Sequence, residues 1–302
     1  MTGSAFSGAW DAFWQEQARG TATQRGCLPR GQGLDSVLSA VWRHYAATLP
    51  PGAHVIDIAT GDGRVMGWML SERGDLKLEG VDLVERLPDP PAGTSVQGGI
   101  AMEELPYADS AFAAAVSQFG FEYGDITRAA SELARVLAPG GSIALVTHRE
   151  GGPIRAQNAR RRREIEWAIT ERELPSLARQ AIGLRPGEPL PAELALAPKL
   201  GRELFGARSA AWEIAEALRM TLDLGRTDDP VTIAALVEQI EDKARGEIGR
   251  IDALTAACER IADEDEFLRA LAAAGLAQRE RRPVRDRQGA APFADFRLIF
   301  PV

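Results

Sequence analysis

Two carboxylates and the small residues between them form the most chemically specific pattern in this chain. Asp57 lies in an apolar β-type run, Val55-Ile56-Asp57-Ile58, followed by Ala59-Thr60-Gly61-Asp62-Gly63 and a helix-like start at Arg64. Small residues let a backbone approach a ligand closely, and a helix start aims unpaired N–H groups at it. Asp82 ends the next strand-like run, where a carboxylate can accept both hydroxyls of a ribose. Together these make a nucleotide site. The dinucleotide fingerprint G-x-G-x-x-G fits in neither register, because its last position is Arg64 or Met66, and no diphosphate-cradling G-x-x-x-x-G-K-[ST] is present.

A second set of residues could move a proton. His148 ends a later strand-like run, and the ordinary pKa of histidine suits a general base near neutral pH. Glu122, after another strand, could orient an amine or a hydroxyl. Each also has a structural reading: a rim histidine that packs or caps, and a glutamate that holds the N-terminal segment. His44 and His54 read as structural. The two cysteines, Cys27 and Cys258, have no metal-ligand spacing, so no metal is expected and a reducing compartment fits best.

Residues 51–148 alternate between strand and helix patterns. Strands are expected at Val55–Ile58, Leu76–Leu83, Thr94–Gln97, Ala113–Gln118 and Ser142–Thr147, with helices at Val65–Ser71 and Ile126–Leu137. Three blocks here resemble the class I S-adenosylmethionine-dependent methyltransferases. Asp57 to Gly63 is similar to the family's D-x-(G/A)-x-G-x-G turn, with Ala59 in place of the first glycine. Leu105-Pro106-Tyr107-Ala108-Asp109-Ser110-Ala111-Phe112, continuing to Ser117-Gln118-Phe119, resembles a second motif. Leu137-Ala138-Pro139-Gly140-Gly141 resembles the helix–PGG–strand junction.

The resemblance implies a Rossmann-like α/β methyltransferase fold: a mostly parallel seven-stranded sheet with a terminal antiparallel hairpin. S-adenosyl-L-methionine is the implied cofactor and S-adenosyl-L-homocysteine its product. The implied cofactor residues are Asp57, Ala59, Thr60, Gly61, Gly63, Asp82, Leu83, Ala101, Met102 and Gln118. Met102 is expected against the adenine, and Ser117–Phe119 beside the methyl group. Methyl transfer from a sulfonium is an in-line displacement that has no universal catalytic residue, so Glu122, Tyr123 and Asp125 at the fourth strand's end and His148 and Arg149 at the fifth's stand only as candidates, His148 and Glu122 foremost.

The chain divides into a helical lead-in (1–50), a cofactor-binding core (51–150), a helical insertion or cap (151–277) and a closing hairpin (278–302). The lead-in carries two apolar stripes, around Trp10, Phe13 and Trp14 and from Leu34 to Leu49, and reads either as a segment that packs against the sheet and folds over the cofactor or as plain packing without ligand contact. The insertion reads as helices at Asn158–Leu174, Leu190–Leu204, Ser209–Leu222, Pro230–Arg250 and Glu264–Ala274. Its basic run, Arg160–Arg163, reads as a solvated face paired with nearby glutamates. At 302 residues with a net charge of −8, the composition is that of an acidic globular protein, which weighs against a nucleic-acid partner. No apolar run is long enough to span a bilayer, and the N-terminus lacks a signal pattern, so a cytoplasmic enzyme is expected.

The expected activity is methyl transfer to a small molecule, with oxygen ahead of nitrogen or carbon as acceptor. RNA or protein methylation, a non-catalytic cofactor-binding protein and a nicotinamide-dependent oxidoreductase stand behind it. Oligomeric state is not legible.

Overall fold

The structure, a computed structural model, describes residues 10, 11, 13–15, 17, 33–286 and 291–302. The join at residues 19–32, Cys27 and part of the closing turn lie outside them. The described chain forms two compact units, Met1–Ala156 with Ala253–Val302, and Gln157–Asp252.

The first unit is built on a seven-stranded sheet in the order β3-β2-β1-β4-β5-β7-β6. Its strands are β1 (His54–Ile58), β2 (Lys77–Val81), β3 (Thr94–Gln97), β4 (Phe112–Gln118), β5 (Leu137–His148), β6 (Leu276–Val284) and β7 (Ala294–Pro301). The first five run parallel, and β7 lies antiparallel to both β5 and β6. Parallel strands covered on both faces need apolar residues in succession rather than in alternation. β4 shows this with Phe112-Ala113-Ala114-Ala115-Val116, almost wholly buried. Successive residues then serve opposite layers. Val55, Ala114 and Val116 face a core with Leu38, Trp42 and Met66. Ile56, Ala115 and Leu145 face one with Leu133, Phe267 and Leu271.

Helices α1 (Leu34–Thr48) and α2 (Arg64–Glu72) supply the first layer, and α3 (Ile126–Val136) part of the second. Asp125 caps α3, accepting the Arg128 backbone N–H at 3.1 Å. The β1–α2 turn thereby stands at the carboxyl edge of the sheet, where open α/β sheets bind ligands.

The second unit is helical. Helix α4 (Pro153–Glu166) ends in a π-turn, Trp167–Glu171, followed by α5 (Leu174–Gln180), α6 (Ala192–Phe205), α7 (Ala210–Leu224) and α8 (Pro230–Ala262). Trp167, Leu174, Leu194, Leu218 and Val237 share its core. The basic run is absorbed by carboxylates of this unit. Arg160 pairs with Glu164, Arg161 with Glu213 and Glu247, and Arg162 with Glu166 and Asp252.

Two boundaries differ from the sequence expectation. The expected insertion, 151–277, is longer than the compact helical unit. α8 runs twelve residues past Arg250 because Leu254, Ala257, Cys258 and Ile261 keep a three-or-four spacing, all of them buried. Helix α9 (Glu264–Ala273) follows, and its Phe267 and Leu271 belong to the core beneath the sheet. At the other end α4 starts at Pro153, a residue favoured in a helix's first turn, directly after the Gly151-Gly152 turn. Among the described residues, no helix is long and apolar enough to cross a membrane.

Candidate active site

The turn after β1 is tied to the end of β2 by hydrogen bonds. The Asp82 carboxylate accepts the Gly61 backbone N–H at 3.0 Å through Oδ2 and the Val84 N–H at 3.0 Å through Oδ1. The Thr60 N–H donates to the Val81 carbonyl at 3.0 Å, and its hydroxyl donates to Asp57 Oδ2 at 2.7 Å. Asp57, Thr60, Gly61 and Asp82 therefore form one connected unit, all buried.

Among the described residues, no ion pair joins Asp57 or Asp82 to a cation. Burial, with Asp82 and Asp62 nearby, pushes the Asp57 carboxyl up to about 7 against the pull of the Thr60 hydrogen bond. Burial also raises Asp82, against the three backbone N–H groups it accepts. Leu83, by contrast, is 54% exposed beside Asp82.

Other expected cofactor residues have firm partners. Gln118 Oε1 accepts the Trp42 indole N–H at 2.8 Å. Ala101 accepts the Glu104 N–H at 3.1 Å. Met102 turns its sulfur onto Gly124, 3.1 Å from where a Cβ on that glycine would stand. Ala59 has φ 53°, the left-handed region where a side chain is strained. Its methyl fits because residue 120 has none: a Cβ on Gly120 would stand 2.5 Å from Ala59 Cβ.

The two residues nominated for proton transfer, Glu122 and His148, meet directly. Glu122, with 0% exposure, accepts through Oε1 the His148 backbone N–H at 2.8 Å and its ring Nδ1 at 2.7 Å. With an ionised carboxylate facing a neutral ring, Nδ1 is the donor and Nε2 keeps its lone pair. The other oxygen, Oε2, is buried with no hydrogen-bond partner among the described residues. Phe119 and Tyr123 flank the imidazole, ring centroids 4.4 and 5.8 Å away.

Ser117, Arg260 and Trp14 support this site through contacts that the sequence reading did not name. Ser117 Oγ donates to the Ile58 carbonyl at 2.9 Å and accepts the Phe121 N–H at 3.2 Å, locking β4's exit to β1. Arg260 of α8 donates to the Glu122 carbonyl at 3.1 Å and the Tyr123 carbonyl at 3.3 Å. Trp14 lies in the lead-in, read either as a segment folding over the cofactor or as plain packing, and its indole rests on Gly61. Arg149, at the end of β5, instead binds Asp295 at 2.6 Å. His54 bonds Glu79 at 2.8 Å, and His44 lies exposed on α1.

Residues 56–145 match the family model described as a methyltransferase domain. A demethylmenaquinone methyltransferase from Deinococcus radiodurans is 34% identical over 151 residues, covering 43% of this chain and 62% of that protein. The chain thus spans less than two thirds of that relative's length. Among solved structures, a complex of the Haloferax volcanii Trm112 methyltransferase activator with a methyltransferase aligns over 89% of this chain and 94% of that one. Its identity is 14% and its TM-score 0.43. The O-methyltransferase of neocarzinostatin biosynthesis, solved with S-adenosyl-L-homocysteine and 1,4-dihydroxy-2-naphthoic acid, aligns over 89% of this chain and 57% of that one, with 13% identity and a TM-score of 0.40.

The sheet order, the glycine turn with its two acids, and the domain match define a class I S-adenosylmethionine-dependent methyltransferase domain. S-adenosyl-L-methionine is its cofactor. The residues present suit it: Asp82 can take further donors on both oxygens, and Leu83 offers an apolar face beside it.

Proposed function

We propose that this chain transfers a methyl group to a hydroxyl oxygen of a small molecule, with His148 as general base and Glu122 as its positioning residue. The observation that carries this reading is the buried Glu122–His148 pair. A hydroxyl must lose its proton as it becomes an ether, so an acceptor of this kind gains from a base whose tautomer is already set. Bound S-adenosyl-L-methionine supplies the activated methyl group. The protein's part is to hold the cofactor on Asp57, Thr60, Gly61 and Asp82, exclude water, and accept a proton at Nε2 of His148. The Glu122 carboxylate then offsets the charge of the imidazolium, as an orienting acid does in a catalytic triad.

The flat rings of Phe119 and Tyr123 beside the imidazole suit an aromatic or conjugated acceptor. The acidic net charge, and a relative named for a quinone-type acceptor, support a small molecule over a nucleic acid. The buried free thiol of Cys258 suits a reducing compartment such as the cytoplasm.

The test is methyl transfer to a panel of phenols, quinols, alcohols and amines, with binding of S-adenosyl-L-homocysteine followed in parallel. His148→Asn is expected to lower kcat on hydroxyl acceptors by roughly 10²–10⁴-fold, the usual worth of a general base, with product binding retained. Glu122→Gln should shift the pH profile of the remaining rate. Equal turnover by His148→Asn, or turnover of amines alone, overturns the proposal.

A further inference from the structure

The helical residues Trp10, Asp11, Phe13, Trp14, Gln15 and Gln17 lie across the carboxyl ends of β2, β1 and β4, within the first unit. Three contacts place them there. At the β2 end, Asp11 stands near Glu85 and Asp82, and burial and carboxylate repulsion raise its pKa. Over the β1 turn, the Trp14 indole lies so close to Gly61 that an added Cβ would stand 2.5 Å from Cζ2 and 2.7 Å from Cη2. Beyond β4, Trp10 meets Tyr123 edge-on with centroids 5.9 Å apart. Phe13 joins the two indoles, 5.7 Å from Trp10 and 5.0 Å from Trp14.

A glycine in a cofactor turn is useful because a ligand can lie against bare backbone. Here that backbone is already covered, by a side chain only 9% exposed. We infer that this leading segment is a displaceable wall of the cofactor site, with Trp14 standing on Gly61 where the cofactor must make contact, so that entry requires the indole to leave. The inference rests on the cofactor reading and adds an element that the glycine-turn motif does not contain. The aromatic row ties the two halves of the site together. It runs from Trp14 through Phe13 and Trp10 to Tyr123, whose ring edges His148, so lifting the segment opens the turn and also uncovers the ring beside the base.

A site open only part of the time binds with an affinity reduced by the open fraction, and deleting the obstruction restores it. The experiment titrates the full chain with S-adenosyl-L-homocysteine by calorimetry and follows association by stopped-flow tryptophan fluorescence. Comparing wild type with Trp14→Ala and Trp14→Phe, the expected result is a fall in Kd on the order of tenfold for Trp14→Ala. The wild-type association rate should level off at high ligand, at the opening rate, and rise linearly in Trp14→Ala. Trp14→Phe, with a smaller ring, should fall between and decides the matter should Trp14→Ala not fold. Unchanged or weaker binding by a folded variant overturns the inference, because the indole would then be a bystander or a stacking partner. Failure of wild type and both variants to bind would sink the cofactor reading itself. Binding by the variants alone would support the wall.

Discussion

Asp57 and Asp295 are buried carboxylates of one sheet, 1% and 2% exposed, with opposite surroundings. Asp295 on β7 sits between two guanidinium groups, Arg149 at 2.6 Å and Arg281 at 2.8 Å. Arg281 also reaches Glu264, which neutralises Arg297, an arginine with 0% exposure lying 4.5 Å over the Phe267 ring. Arg297 donates through Nη1 to Glu264 and Gln278, each at 2.9 Å. Its Nη2 stands 2.9 Å from Glu264 without hydrogen-bond alignment, a charge contact only. Asp57 has one hydroxyl donor and two acidic neighbours. Asp295, with cations around it, is a staple of the fold; Asp57, among other acids, has the perturbed setting that marks a candidate ligand site.

This contrast predicts unequal responses to mutation. The largest is at the staple: Glu264→Ala leaves Arg297 buried without its carboxylate, and should cost about 3 kcal/mol in denaturant unfolding. A loss well under that would mean Arg297 readily finds other partners, and the contrast would weaken.

Next is Asp57→Asn, whose sign changes the comparison. A carboxyl raised from 3.8 to about 7 keeps its proton in the folded state, so the protein is favoured at low pH and loses that advantage as pH rises through this interval. Wild-type stability should therefore fall relative to Asp57→Asn across that window, by about 1 kcal/mol per pH unit at the steepest. Parallel curves would show that Asp57 is ionised throughout. The smallest effect belongs to the helical unit's surface: Arg160→Ala, removing a side chain 61% exposed, should cost about 0.5 kcal/mol or less in thermal melts.

Most of the sheet was legible because its signals are local. An apolar run, a glycine turn and an amphipathic helix located β1, α2, β3, β4 and α3 to within a residue at each end. The helical insertion was harder. The expected helix Asn158–Leu174 ran on through the π-turn at Trp167–Glu171, which keeps an apolar pattern where the α-helix has ended, and α5 beyond it was not expected. Around the site, Asp57 and Asp82 follow from a turn and a strand end, whereas Trp14 on Gly61 and Arg260 on Glu122 join residues far apart in the chain. Glu122 and His148 could be nominated singly from their strand ends, but their shared hydrogen bond depends on β4 and β5 lying side by side.

The opposed turns at Ala59 and Gly120 leave room for a single methyl group. Changes at these two positions are therefore not independent. Gly120→Ala alone drives two Cβ atoms together, although residue 120 has φ −134°, which alanine tolerates. With Ala59→Gly beside it, the methyl simply crosses from one turn to the other, and only the Ser117 hydroxyl, 2.9 Å from the new Cβ, must still give way. With glycine at position 59 the second turn has room for alanine once Ser117 shifts; with alanine at 59, as here, it does not.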